Sequence, residues 1–182
     1  MEGIHKEDWL SIPNLLTISR IALLPLIVRC FQSDNMPGAL IIYLIAMLTD
    51  AADGLIARRT NRITVLGKLL DPLADKLCLL TLLMLFSADN QIPLWLLNLV
   101  MMKEAALVLG SAVALRMGIV VSALPIGKLA TFTFILSTVS RFLAWRFLGD
   151  VLLWLSLGLS LVALGWYGVV LIGKVRFRSA IA

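Results

Sequence analysis

IIYLIAMLTDAADGLIARRTNRITVLGKLLDPLADKLCLLTLLMLF, residues 41–86, decides how the chain is read. It begins and ends in apolar runs that, with their neighbours, reach the roughly 20 residues a helix needs to cross a bilayer. Between those runs the polar residues are spaced regularly. Asp50 and Asp53 stand at i, i+3, and Asp71 and Asp75 at i, i+4, so each pair projects from one helix face. At about 1.5 Å per residue, Asp53 and Asp71 fall roughly 8 Å from the helix ends that flank the connecting loop, and Asp50, Asp75 and Arg20 of the preceding apolar segment roughly 12 Å. Three helices therefore bring charge to one depth. Charges inside spans are costly and default to a functional role.

The surrounding sequence agrees with a membrane setting. The 182 residues are 60% hydrophobic and 15% charged with a mean hydropathy of +0.98, whereas soluble domains carry roughly 25% charged residues. This excludes an ordinary soluble domain, a disordered chain and a disulfide scaffold. Apolar runs between turn signals predict an all-α, polytopic membrane protein of about six transmembrane helices, at 12–32, 38–58, 66–86, 93–115, 124–146 and 151–173. The breaks are QSDNMPG, RRTNRIT, SADNQIP, RMGIVVSALP and RFLGD. No repeat or linker interrupts them, so residues 1–182 read as one membrane domain. MEGIHKEDWLSIPN lacks a basic region leading into a cleavable apolar run, and the first span is expected to be retained.

With the amino terminus inside, Lys6, Arg58, Arg59, Arg62, Arg116, Lys174, Arg176 and Arg178 lie on the cytoplasmic side, against Arg29 and Arg146 near the outer ends. The positive-inside rule selects an N-in, C-in topology in the cell membrane, with the acids opening to the cytoplasm. The net charge of +5 and pI of 9.6 then reflect basic loops facing anionic lipid, and nucleic acid is not an expected partner. Cys30 and Cys78 form no metal or redox motif and read as small core residues. Trp9, Trp95, Trp145, Trp154 and Trp166 mostly fall near span ends, as interfacial anchors do.

Four carboxylates in a low-dielectric cavity need protons or cations to coexist. About two divalent ions would balance them, and an all-oxygen donor set favours Mg²⁺ or Mn²⁺, since His5 and the separated cysteines offer no zinc set. Ion pairing with Arg20, Arg58, Lys68 and Lys76 is the alternative, and it leaves the common depth and paired spacing unexplained. A metal-ion pathway would need polar residues to continue outward, yet IIYLIAML and CLLTLLMLF are apolar there.

Asp50-Ala-Ala-Asp53-Gly54-Leu-Ile-Ala57-Arg58, eight residues, Gly67, three residues, Asp71, three residues and Asp75 together resemble the CDP-alcohol phosphotransferase signature D-x-x-D-G-x-x-A-R-x8-G-x3-D-x3-D. All eight specified positions over 26 residues agree. The resemblance implies that Asp50, Asp53, Asp71 and Asp75 hold two metal ions on the pyrophosphate of CDP-diacylglycerol, with Asp75 as the base for the acceptor hydroxyl and CMP as the leaving group. Gly54, Ala57 and Gly67 give the nucleotide clearance, and Arg58 offers a bidentate phosphate contact. A second stretch, Ile12-Pro-Asn14-Leu-Leu-Thr17-Ile-Ser-Arg20, is similar to the first span of the bacterial phosphatidylglycerophosphate synthases of that family. Asn14, Thr17 and Arg20 share a broad helix face and are expected to meet the CDP-lipid. The implied acceptor is glycerol 3-phosphate, whose phosphate calls for cations, with Lys128, Lys103 and Arg116 as candidates. Lys103-Glu104 stands where those enzymes often show Arg-Glu, and a contact of Lys103 within its own helix is the competing account. Phosphatidylglycerol, giving cardiolipin, and inositol phosphate are the alternative acceptors. The sequence also admits a homodimer.

Overall fold

The computed structural model describes the backbone of residues 12–60, 65–117 and 125–179, and their side chains except at 12–13, 51–69, 115–116 and 175–179. Among the described residues there are six helices and no strand: α1 (Ile12–Gln32), α2 (Met36–Thr60), α3 (Val65–Ala88), α4 (Leu94–Arg116), α5 (Pro125–Phe142) and α6 (Arg146–Ser179). Three carry stretches long and apolar enough to cross a membrane, by length and composition alone: Asn14–Gln32, Leu94–Ala114 and Arg146–Lys174. At about 1.5 Å per residue, α6 is roughly 51 Å long and exceeds a hydrocarbon core of about 30 Å. The helices form two compact units, Met1–Ile92 and Pro93–Ala182.

In the first unit, α1 packs on both α2 and α3. Its buried stripe runs Asn14, Thr17, Arg20, Leu24, Ile27, Phe31, at spacings of three and four that keep one face turned inward. On α2 the stripe is Ala39, Tyr43, Ala46 and then Asp50, and on α3 it is Phe86, Leu82, Cys78 and then Asp75 and Asp71. Each stripe passes from apolar to polar toward the same end of the unit. At the apolar end, Phe31 and Phe86 meet edge to face with centroids 5.6 Å apart. Cys78 is buried and Cys30 half-buried, and neither forms a disulfide, as expected of small packing residues.

In the second unit, α6 packs on α5 and α4. Serine hydroxyls tie α5 to α6 in both directions: Ser137 donates to the Gly149 carbonyl at 2.7 Å and Ser156 to the Ala130 carbonyl at 2.8 Å. Small residues and cross-helix hydroxyls suit helix pairs in lipid, where apolar burial alone gives no preference for protein over solvent. Trp95 of α4 and Trp154 of α6 lie 5.7 Å apart, and with Trp145 and Trp166 they are exposed. Trp9 lies outside the described residues.

The first four helices begin and end within about two residues of the expected spans. The α5/α6 boundary does not. The stretch RFLGD was expected to be the break, but α5 ends at Phe142 and α6 starts at Arg146. The turn is centred on Ala144, whose φ of 61° is left-handed. Trp145 N–H bonds the Ser140 carbonyl at 2.8 Å and Ala144 N–H the Arg141 carbonyl at 3.0 Å, which is a Schellman closure. Asp34 after α1 and Asn90 after α3 close their helices in the same way. Gly149 and Asp150 are thereby freed for packing. Gly149 lets α6 approach Arg141, and Asp150 pairs with the buried Arg141 guanidinium at 2.5 Å. Arg141 therefore joins Arg29 and Arg146 among the basic residues at helix ends that the predicted topology places outside.

Two substitutions at this turn should move stability in opposite directions. Ala144→Gly removes a left-handed strain of about 1 kcal/mol, and should raise the melting temperature in detergent by about 2–4 °C. Gly149→Ala places a methyl 2.8 Å from Arg141 Cγ and 3.5 Å from the Ser137 carbonyl oxygen. Because Asp150 restrains Arg141, the crowding should cost about 1–3 kcal/mol and lower the melting temperature.

Candidate active site

The polar ends of the α1, α2 and α3 stripes meet in one layer. Arg20 has no exposed side-chain surface, and its Nη1 donates to Asp50 Oδ1 at 2.6 Å and Asp75 Oδ1 at 2.9 Å. One turn earlier on α1, the buried Thr17 hydroxyl donates to Asp71 Oδ1 at 2.6 Å. Asn14, one turn earlier still, is also fully buried. The common depth of Arg20, Asp50 and Asp75 inferred from helix rise is thus realised as direct contact between three helices.

The partners differ in exposure. Arg20 is sealed, while the side chains of Asp50 and Asp75 are 45% and 57% exposed. The buried cation anchors the layer, and the two carboxylates it holds keep about half of their side-chain surface open. The arginine pairing weighed in the sequence holds for Arg20 and offsets one of the acid charges. It leaves the remaining carboxylate charge in place, together with the solvent-facing oxygens that a purely structural bridge would bury.

Among the described residues, no three His, Cys, Asp or Glu side chains stand close enough together to hold an ion by themselves. Asp53, the fourth acid of the expected set, has its side chain outside the described residues, as do Ala57, Arg58 and Lys68. Gly54 and Gly67 also fall in that part of α2 and α3, within the helices. The donor chemistry present nonetheless suits a hard divalent ion, because carboxylate oxygens fixed on one edge and open on the other still have lone pairs to offer.

The second unit carries the cations expected to serve an acceptor. Lys128 is exposed in the first turn of α5 and makes no ion pair among the described residues. Lys103 is nearly buried and pairs with the equally buried Glu104 at 2.6 Å, so the contact within its own helix is formed. Arg116 closes α4, with its side chain outside the described residues. Sequence reasoning missed the Arg141–Asp150 pair. Opposite charges nine residues apart across a turn, with Arg146 between them, were the available signal.

A membrane bundle with carboxylates in one internal layer defines the class, and comparison with known proteins agrees. The profile of the CDP-alcohol phosphatidyltransferase family matches residues 10–162, across both units, and the chain belongs to that family. It is a membrane transferase of phospholipid synthesis. It is 32% identical over 95% of its length to a CMP-forming cardiolipin synthase of Streptomyces coelicolor, covering 86% of that protein. It is 30% identical over 86% of its length to the CDP-diacylglycerol--glycerol-3-phosphate 3-phosphatidyltransferase of Bacillus subtilis, covering 92% of it. The enzyme of that name from Rickettsia bellii is 43% identical over 46% of this chain and 49% of its own.

Proposed function

We propose that this chain transfers the phosphatidyl group of CDP-diacylglycerol to glycerol 3-phosphate, releasing CMP and forming phosphatidylglycerophosphate at the cytoplasmic face of the cell membrane. The observation that carries the reading is the layer in which Arg20, Asp50 and Asp75 meet, built on a signature complete at all eight positions. Relatives named for this reaction, one of them matched over nearly its whole length, support the acceptor.

Asp50, Asp53, Asp71 and Asp75 would hold Mg²⁺ or Mn²⁺, two ions by charge. When bound, the ions supply charge stabilisation to the pyrophosphate. The chain's own groups do the rest. Asp75 takes the proton of the acceptor hydroxyl as its oxygen bonds to the phosphorus bearing diacylglycerol; the bond from that phosphorus to the CMP oxygen breaks, and CMP leaves with the electron pair. Arg20 fixes Asp75 from behind. Arg58 faces the CDP-lipid, with Gly54, Ala57 and Gly67 giving clearance, while Asn14, fully buried, keeps to the packed face of α1. Lys128 meets the acceptor phosphate, assisted by Arg116. Lys103, its charge met by Glu104, contributes as part of that pair.

CMP release should require Mg²⁺ or Mn²⁺ and stop with EDTA, and Asp75→Asn should lose at least 100-fold in rate while remaining folded. Full activity in chelator, or near-normal turnover of Asp75→Asn, would contradict the assignment.

The Streptomyces relative, matched over more of the chain, favours a second reading in which phosphatidylglycerol is the acceptor and cardiolipin the product. The exposed Lys128 separates the two, because a free phosphate monoester needs a cation more than a diester does. Purified protein given both acceptors should form phosphatidylglycerophosphate. Lys128→Ala should raise the KM for glycerol 3-phosphate about tenfold and leave that for CDP-diacylglycerol near its original value. Cardiolipin as the product selects the second reading.

Orientation is open to thiol labelling after Cys30 and Cys78 are replaced by alanine. Thr60→Cys, at the end of α2, should react with an impermeant reagent only when the cytoplasmic face is exposed. Asp89→Cys, beside the α3 turn, should react from outside; the reverse pattern would invert the topology.

A further inference from the structure

Thr17 was expected to touch the CDP-lipid, yet its hydroxyl is aimed at a carboxylate. Most helical hydroxyls in the described residues bond back to their own helix, as Ser19, Thr49, Ser111, Thr138, Ser140 and Ser160 do. Thr17 crosses from α1 to Asp71 of α3 at 2.6 Å and is fully buried. That contact is not needed to dock α1 on α3. Arg20 to Asp75 and Phe31 to Phe86 already fix the two helices at two levels.

What Thr17 adds is local. A carboxylate turns freely about its Cβ–Cγ bond unless one oxygen is held, and an accepted hydrogen bond at Oδ1 sets the direction in which its other lone pairs point. Groups that orient a metal ligand in this way typically change metal affinity or activity by 10–100-fold when removed. We propose that Thr17 is a positioning residue that presets the Asp71 carboxylate for a divalent cation, and that it does not contact substrate. The inference rests on the metal-holding role given to Asp71 in the proposed function.

The test measures Mn²⁺ binding to purified protein in detergent without any substrate, from the free-ion electron paramagnetic resonance signal. Thr17→Val keeps the shape and removes the hydroxyl; Thr17→Ser keeps the hydroxyl. The valine variant should bind Mn²⁺ 10–100-fold more weakly, and the serine variant should recover most of that loss. At saturating Mn²⁺, the valine variant's KM for CDP-diacylglycerol should stay within about twofold of the original. Combining Thr17→Val with Asp71→Asn should weaken Mn²⁺ binding little beyond Asp71→Asn alone, because both remove the same coupling. Unchanged Mn²⁺ affinity in Thr17→Val with a raised KM for CDP-diacylglycerol would overturn the proposal and return Thr17 to the substrate. Failure of the unaltered protein to bind Mn²⁺ would instead overturn the metal role of the acids, and this inference with it.

Discussion

An arginine with no exposed surface inside an apolar bundle must have its charge met by other side chains, and Arg20 meets Asp50 and Asp75 through a single nitrogen. The first unit is organised around this requirement. α1 packs on both α2 and α3, and one ionic contact from its face goes to each. Removing Arg20 would leave two carboxylates facing each other within reach of one atom, and removing either acid would take a counter-charge from a buried guanidinium. The larger cost falls on the arginine side, because the guanidinium is sealed while water can reach either acid.

The same contact separates structure from chemistry within one cluster. Its cation is fully buried, while its acids are about half exposed. Carboxylates held at one oxygen and open at the other are preorganised, so little reorganisation is left for the moment of reaction. Among the described residues the seam beyond them, through Leu24, Ala46, Cys78 and on to Phe31 and Phe86, is apolar apart from Tyr43 and carries no charge.

The meeting of Arg20 with Asp50 and Asp75 was legible because helical spacing and a shared distance from the loop coincide in them; Asp53 lies outside the described side chains. Asn14, Thr17 and Arg20 were legible as one face, since they continue the stripe of Leu24, Ile27 and Phe31. Which neighbour that face meets was not legible, because periodicity gives the angle of a side chain about its own helix and says nothing of the helix opposite. The α5/α6 boundary was hidden for a different reason. Gly149 and Asp150 are residues that commonly end helices, and here they serve close approach and ion pairing inside one. Ala144, which takes the left-handed turn, has no side-chain feature to announce it. Lys103 is a third case: its adjacency to Glu104 is visible in the sequence, but the burial that makes the pair matter is a property of α4 against its neighbours.

The Arg141–Asp150 pair has a consequence for how the protein is made. An arginine within a segment entering the bilayer costs about 2.5–3.5 kcal/mol on translocation scales when it enters alone. Here its counter-ion is carried by the same pair of helices, nine residues on and just past the turn. The Arg141 charge is therefore met within the hairpin itself, without help from any other helix.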